Sequence, residues 1–169
     1  MKLLCCSVLL SLWVGAAIAA EPIQVFFPPH GGCTEAAVEN LKKATYSVLV
    51  QAYSFTSAPI AQALADAEKR GVKVQVILDK SQRTEKYSSA DFVAHAGIPT
   101  CIDTKHAIAH NKIMVIDGKT ILTGSFNFTK AAESSNAENL LVIQDAVLAK
   151  KYTANWNAHL QHSDPYQGK

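Results

Sequence analysis

Apolar β-type runs and amphipathic helical stretches alternate along most of the chain. Residues 23–27 (IQVFF) predict a strand, and a proline- and glycine-rich break over 28–32 separates it from a helical stretch at 33–44. Residues 46–55 (YSVLVQAYSF) are rich in β-formers and are apolar on both faces at their centre. This pattern is typical of a central strand that is covered on two sides.

A strand, a helix and a second strand then follow in order. Ser57 is well placed as the N-cap of a helix over 58–70, Gly71 closes that helix, and 72–79 alternates as the next strand. This βαβ unit predicts that part of the sheet is parallel. The same patterns predict a helix at 88–97, strands at 98–103 and 139–144, and a C-terminal helix at 146–161. We therefore expect a mixed sheet with helices on both faces.

The N-terminal twenty residues have the layout of a secretory signal peptide: an early lysine, an apolar run and small residues up to Ala19 and Ala20. Cleavage near Ala19 or Ala20 would leave one domain at 21–169, periplasmic or secreted and without stable membrane association. The apolar run is short for a membrane anchor, and no stop-transfer flank follows it. At 169 residues and 49% apolar composition, one domain with its own core is the natural size.

Cleavage would also leave two cysteines, Cys33 and Cys101, in a compartment that permits disulfides. The sequence is compatible with two alternatives, a disulfide between these cysteines or two ordinary buried thiols. Of the charged residues, the signal removes Lys2, so the mature chain has 15 basic and 14 acidic side chains. The global charge therefore favours no polyanionic partner, and any phosphate-binding groups must be gathered locally.

The segment 110–127 (HNKIMVIDGKTILTGSFN) predicts a β-hairpin with polar residues at both ends. Asp117-Gly118 is a strong two-residue turn signal, so 116 is expected opposite 119, 112 opposite 123 and 110 opposite 125. Alternation would then place His110, Lys112, Thr123, Ser125 and Asn127 on one face of the sheet.

This combination of side chains suits a phosphate group. Lys112 offers a positive charge, Asn127 and Ser125 offer hydrogen-bond donors, and His110 is a nucleophile, base or acid near neutral pH. Gly124 would let backbone or substrate approach closely. Glu138 is placed to accept a hydrogen bond from one ring nitrogen of His110 and so to present the other to a substrate.

The pattern His110-x-Lys112, four residues, Asp117, six residues, Gly124-Ser125-x-Asn127 resembles the HKD signature of the phospholipase D superfamily. The stretches VLVQAYSFTSAPIAQAL and RGVKVQVILD also resemble segments of the small exported bacterial endonucleases of that superfamily. The resemblance implies an α/β/α sandwich with a central mixed, largely parallel sheet. It places His110, Lys112, Asn127, Ser125 and Glu138 in the catalytic set, with Asp117 in a supporting role at the turn.

In that superfamily two HKD motifs meet at one active site, and this chain carries one. The resemblance therefore implies a homodimer with a shared site and a covalent phosphohistidine formed without a cofactor or a metal. Lys112, Asn127 and Gly124 would bind the substrate phosphate. The expected activity is a sequence-nonspecific endonuclease on DNA, with RNA as a second candidate substrate.

The sequence allows three other interpretations. A phospholipase D acting on lipid headgroups would use the same chemistry, although the mature chain shows no interfacial segment. A non-catalytic nucleic-acid-binding module is disfavoured by the intact His110. Asp103, His106 and His110 could suggest a metal site, but their segment is not helical in pattern, and surface polar residues are the simpler interpretation.

Overall fold

The structure, a computed structural model, describes residues 22–169, so the predicted signal peptide at 1–20 lies outside the described residues. The strands of the described chain are β1 Ile23–Phe26, β2 Ser47–Ala52, β3 Lys73–Asp79, β4 Thr100–Asp103, β5 Lys112–Ile116, β6 Thr120–Gly124, β7 Leu140–Gln144 and β8 Ser163–Tyr166. The helices are α1 Cys33–Lys43, α2 Ala58–Lys69, α3 Ala90–His95, α4 Lys130–Ser134 and α5 Ala146–Leu160, with a 3-10 turn at Lys80–Arg83.

One sheet contains all the strands of the described region, in the order β1-β7-β6-β5-β2-β3-β4-β8. The βαβ unit is confirmed, because β2 pairs in parallel with β3, and β3 pairs in parallel with β4. The five other pairings within residues 22–169 are antiparallel. The expected mixed sheet is thus confirmed, but it is partly rather than largely parallel, because hairpin-type connections and edge strands limit the parallel part to three strands.

The helices cover both faces of the sheet, as predicted. Helices α1 to α4 bury their apolar side chains on one face, where Leu41, Leu64 and Val93 are fully buried against β2, β3 and β5. Helix α5 covers the opposite face, where Trp156 packs against Ile77 and Ile113. The Trp156 indole N–H also donates to the backbone carbonyl of Val50 at 2.8 Å, so its polar atom is satisfied inside the core. No helix of residues 22–169 has the length and apolar character that crossing a bilayer requires.

Both cysteines of the described region are free thiols. Cys33 begins α1 and is buried in the core on one face of the sheet, whereas Cys101 packs beside Trp156 on the other face. Burial raises the pKa of Cys33 to about 11, so this thiol stays protonated and unreactive at neutral pH. The structure therefore favours two ordinary thiols over a Cys33–Cys101 disulfide, because the two side chains lie on opposite faces of the sheet.

Candidate active site

The polar residues of the hairpin ends line one open pocket of about 490 Å³. It lies at the edge of the sheet where β5 begins, β6 ends and the chain enters β7. Its lining residues are His110, Lys112, Gly124, Ser125, Asn127 and Glu138. All six are among the residues predicted from the sequence as catalytic or substrate-binding, and the fold brings these six together.

The hairpin achieves this with a different register from the predicted one. Ile116 pairs with Thr120 and Ile113 with Thr123, so the connection is Asp117–Lys119 rather than two residues. The odd-length connection reverses the relative parity of the strands, and it puts Lys112 opposite Gly124 while Thr123 faces the other side of the sheet. The prediction that simple alternation groups these side chains was therefore wrong, as was the pairing of His110 with Ser125.

The grouping comes instead from the way β6 ends at Gly124. This glycine has φ of 154°, and a Cβ atom there would lie 2.2 Å from the backbone oxygen of Asn139. The close approach lets the Phe126 N–H donate to that same oxygen at 3.2 Å. Phe126 and Phe128 are fully buried, and the residues that alternate with them, Ser125 and Asn127, line the pocket. Gly124 thus acts through close backbone packing, which favours glycine.

Lys112 is a buried cation at the centre of the site. The residue is 6% exposed. Its ammonium group donates to the backbone oxygen of His110 at 2.7 Å and lies 5.1 Å from the ring centroid of Tyr53. Burial lowers the pKa of Lys112, and the nearby Glu138 carboxylate partly opposes that shift. A desolvated ammonium group interacts more strongly with a phosphate than an exposed one does.

His110 is exposed at the mouth of the pocket, with its ring packed against the ring of Tyr53 at a centroid distance of 4.6 Å. Tyr53 itself follows β2, and its N–H donates to the Asn111 carbonyl at 2.8 Å. Tyr53 therefore lies beside both His110, which precedes β5, and Lys112, its first residue. Sequence reasoning missed it because the antiparallel pairing of β2 with β5, which brings residues 53 and 111 together, has no local sequence signal.

The remaining polar groups have defined partners. The Ser125 hydroxyl accepts a hydrogen bond from the Asn139 N–H at 3.0 Å, and Glu138 accepts one from the Asn136 amide at 3.1 Å. The expected hydrogen bond from His110 to Glu138 is not among the contacts of the described residues. The buried Oδ1 of Asn127 has no hydrogen-bond partner within residues 22–169, and such an atom is unusual unless a ligand satisfies it.

Asp117 lies far from this pocket. It follows the last residue of β5, roughly 23 Å along the strand from His110 at ~3.3 Å per residue. Its carboxylate accepts hydrogen bonds from the backbone N–H groups of Thr45, Tyr46 and Ser47 at 2.7 to 3.2 Å. The structure therefore does not bring Asp117 to the catalytic set. It joins the hairpin turn to the start of β2.

The side chains of His106 and His110 lie in different places, although the same loop between β4 and β5 carries both. His110 lines the pocket. His106 is not among the pocket residues, and its Nδ1 atom lies 3.0 Å from Oδ2 of Asp103. The three residues considered as a metal site in the sequence thus do not form one group. His106 instead meets two histidines from the C-terminal region that local sequence reasoning could not connect to it.

An α/β/α sheet with one pocket formed by a His-x-Lys pair and a Gly-Ser-x-Asn segment defines the HKD class of phosphodiester hydrolases. Comparison with known families agrees. The family model described as "Cardiolipin synthase, PLD-like domain" matches residues 37–160. The chain belongs to this phospholipase D-like family.

Individual relatives extend the match. The chain is 45% identical over 139 residues to a protein named phospholipase D from Rickettsia typhi, which covers 82% of this chain and 68% of the relative. The crystal structure of the phospholipase D family member Nuc from Salmonella typhimurium is similar with a TM-score of 0.83 at 36% identity, covering 86% of this chain and 98% of Nuc. NucT from Helicobacter pylori aligns with a TM-score of 0.79 at 26% identity, over 85% of this chain and 98% of NucT.

Proposed function

We propose that this protein is a sequence-nonspecific endonuclease that hydrolyses DNA, with RNA as a second substrate, through a covalent phosphohistidine. The observation that carries the proposal is the convergence of His110, Lys112, Ser125 and Asn127 on one solvent-open pocket. A nucleophile, a buried cation and two neutral polar side chains are the groups that phosphoryl transfer requires.

The proposed reaction has two displacements. In the first, a ring nitrogen of His110 attacks phosphorus, the P–N bond forms, and the P–O bond to the leaving strand breaks. In the second, water attacks phosphorus, the P–N bond breaks, and the phosphate monoester leaves. Lys112 and Asn127 hold the nonbridging oxygens and stabilise the charge that develops on them.

The leaving oxygen needs a proton, and a second histidine is its proposed donor. Each chain brings one His110 to the pocket, so the donor would be His110 of a second copy of this chain across a two-fold axis. The same residue would then remove a proton from the attacking water. Two facing histidines would titrate as a coupled pair, which predicts a bell-shaped pH–rate profile.

Two features favour nucleic acid as the substrate. The chain resembles small endonucleases of its superfamily over most of its length, and it spans nearly the whole of Nuc. Tyr87 is 72% exposed, with Lys86 5.4 Å from its ring centroid, on the loop that follows β3 at the same edge of the sheet as the pocket. An exposed aromatic ring beside a cation can stack a base and contact a backbone phosphate.

The alternative is a phospholipase D acting on lipid headgroups, which the name of the Rickettsia typhi relative favours. The two activities share the displacement chemistry and differ in what surrounds the phosphate. A direct comparison of substrates therefore separates them.

The test uses mature protein with plasmid DNA, single-stranded DNA, RNA and phosphatidylcholine vesicles, all in excess EDTA. We expect nicking of DNA without headgroup release, and a radiolabelled substrate should leave an acid-labile, base-stable phosphoprotein adduct. A His110→Asn variant should lose both the cleavage and the adduct, whereas the matched His95→Asn variant, changed at an exposed site, should keep them. Headgroup release without nicking would favour the phospholipase, and full activity of His110→Asn would exclude the proposed nucleophile.

The shared site has its own test. Sedimentation velocity combined with activity measured over a dilution series should show a dimer whose specific activity falls as it dissociates. An active monomer would contradict the shared site while leaving the substrate assignment intact.

A further inference from the structure

A cluster of one carboxylate and three imidazole side chains lies on the α5 face of the sheet. Asp103 is the last residue of β4, His106 is on the loop to β5, His159 is in the last turn of α5, and His162 precedes β8. One ligand atom from each of the four lies within 4.8 Å of the others. We propose that these four residues bind a divalent transition-metal ion, with Zn²⁺ as the ion that the donor set fits best.

The four donor atoms lie close enough together to share one small metal ion. The Oδ2 atom of Asp103 lies 2.8 Å from His159 Nδ1, 3.0 Å from His106 Nδ1 and 3.4 Å from His162 Nε2. Zinc binds histidine nitrogen and carboxylate oxygen at roughly 2.0–2.2 Å, which puts neighbouring donors in a tetrahedron about 3.4 Å apart. The three rings also lie side by side at tilted angles, with centroid separations of 4.8 to 5.4 Å.

Hydrogen bonding alone does not satisfy this cluster well. Three ring nitrogens converge on Oδ2, while Oδ1 accepts from the Lys105 N–H at 3.1 Å and the His106 N–H at 3.4 Å. A carboxylate offers about four lone-pair sites, so five N–H groups exceed its capacity. A cation between the rings and Oδ2 removes the conflict, because each neutral imidazole then directs a lone pair to the metal.

The surroundings resemble those of metal ligands. The Asp103 side chain is fully buried, and the two backbone N–H groups on Oδ1 fix the carboxylate and leave Oδ2 directed at the rings. The Ser163 hydroxyl donates to the His159 carbonyl at 2.8 Å and so joins β8 to the end of α5. His106 is 44% exposed, which provides an entry path for the ion. Three nitrogens and one oxygen favour zinc over magnesium or calcium.

Four protein ligands would close the coordination shell, which indicates a structural site. None of the four lines the pocket that contains His110. The metal would instead connect loop 104–111 to the C-terminal end of α5, and this same loop presents His110 four residues after His106. The ion would therefore stabilise the loop that carries His110 without contacting the substrate, so metal binding is measured separately from the cleavage expected in EDTA.

The test uses untagged protein, because an affinity tag of histidines would bind the same metals. Elemental analysis of protein purified without chelator should give about one zinc per chain. Protein stripped with chelator should bind Co²⁺ with the intense visible absorption of a tetrahedral site, and Zn²⁺ should displace the Co²⁺ and bleach that absorption. Zn²⁺ should also raise Tm by several degrees and slow hydrogen exchange over 104–111.

Three variants locate the site. His106→Gln and His162→Gln should each lose the bound zinc and the Co²⁺ spectrum, and the matched His95→Gln variant should keep both. Stripped wild-type protein that gains neither the Co²⁺ spectrum nor a higher Tm would overturn the proposal, whether or not the variants fold. Stoichiometric zinc that survives His106→Gln and His162→Gln would place the ion elsewhere and would overturn it equally.

Discussion

The ammonium nitrogen of Lys112 lies 2.7 Å from the backbone carbonyl oxygen of His110 and donates a hydrogen bond to it. These two signature residues are therefore coupled through the main chain, and both side chains also lie beside the ring of Tyr53. Within residues 22–169 the bond to His110 is the one hydrogen bond that the ammonium group donates, so it still has donor capacity for an anion. This arrangement leads to opposite expectations for activity and for stability.

Replacing Lys112 with methionine should abolish most of the activity without unfolding the protein. Loss of one charge-stabilising donor at a phosphoryl-transfer site costs roughly 10²–10³-fold in kcat. The apolar side chain removes a buried charge, so Tm should stay constant or rise. Steady-state cleavage kinetics and calorimetry measure the two effects. Lys119→Met, at the exposed end of the hairpin, is the matched control, and a Lys112→Met variant with wild-type kcat would contradict the role of this cation.

Tyr53 should act as a positioning residue for His110. Tyr53→Phe keeps the ring contact and should keep kcat within about threefold, whereas Tyr53→Ala removes the contact and should lower kcat by roughly tenfold or more. Because the ring also packs near Lys112, Tyr53→Ala should change the pH–rate profile as well. The same profile in both variants, with only Tm reduced, would indicate a purely structural role.

The local elements could be read from the sequence because their signals are local. The βαβ unit over β2, α2 and β3 follows from apolar spacing and from Gly71, and it is confirmed. The predicted register of the hairpin was wrong by one residue. Asp117 and Gly118 both adopt positive φ, as a two-residue turn requires. However, Lys119 adds a third residue to the connection before pairing resumes at Thr120. A single inserted residue leaves no clear trace in the hydrophobic pattern.

Contacts between segments that are distant in the sequence could not be predicted either. The short strand β8 contains Pro165 and has no apolar alternation, and it forms because the edge of β4 is open to it. The contact of His106 with His159 and His162 depends on that same docking of the C-terminal region. Spacing within "DTKHAIAH" carries no information about residues more than fifty positions away.

Gly124→Ala should be more damaging than an alanine at another glycine with positive φ. Gly124 and Gly97 both have positive φ, but a Cβ at Gly97 meets no atom within 4 Å, whereas at Gly124 it meets the Asn139 carbonyl. We expect about 2–4 kcal/mol of destabilisation for Gly124→Ala and ~1 kcal/mol for Gly97→Ala. Denaturant unfolding measures both. Equal values would show that conformational strain, and not the close approach of Asn139, is the reason for glycine at 124.

Asp117→Asn should weaken the fold in a pH-dependent way and leave the chemistry intact. Burial alone would raise the pKa of Asp117, but hydrogen bonds from the Ser47, Tyr46 and Thr45 N–H groups outweigh it and hold the pKa below its ordinary value of 3.8. A carboxyl whose pKa is lower in the folded state contributes stability above the unfolded pKa and loses it as the pH falls through the folded pKa.

The difference in unfolding free energy between wild type and Asp117→Asn should therefore be constant near neutral pH, at about 1–2 kcal/mol, and should shrink below pH 3.8. Urea denaturation from pH 7 down to pH 3 measures it, with Asp66→Asn on the exposed face of α2 as the control. At pH 7 and below its unfolding temperature, Asp117→Asn should keep kcat within about threefold, because its carboxylate lies at the opposite end of β5 from His110. A hundredfold loss of kcat at unchanged stability would return Asp117 to the catalytic set.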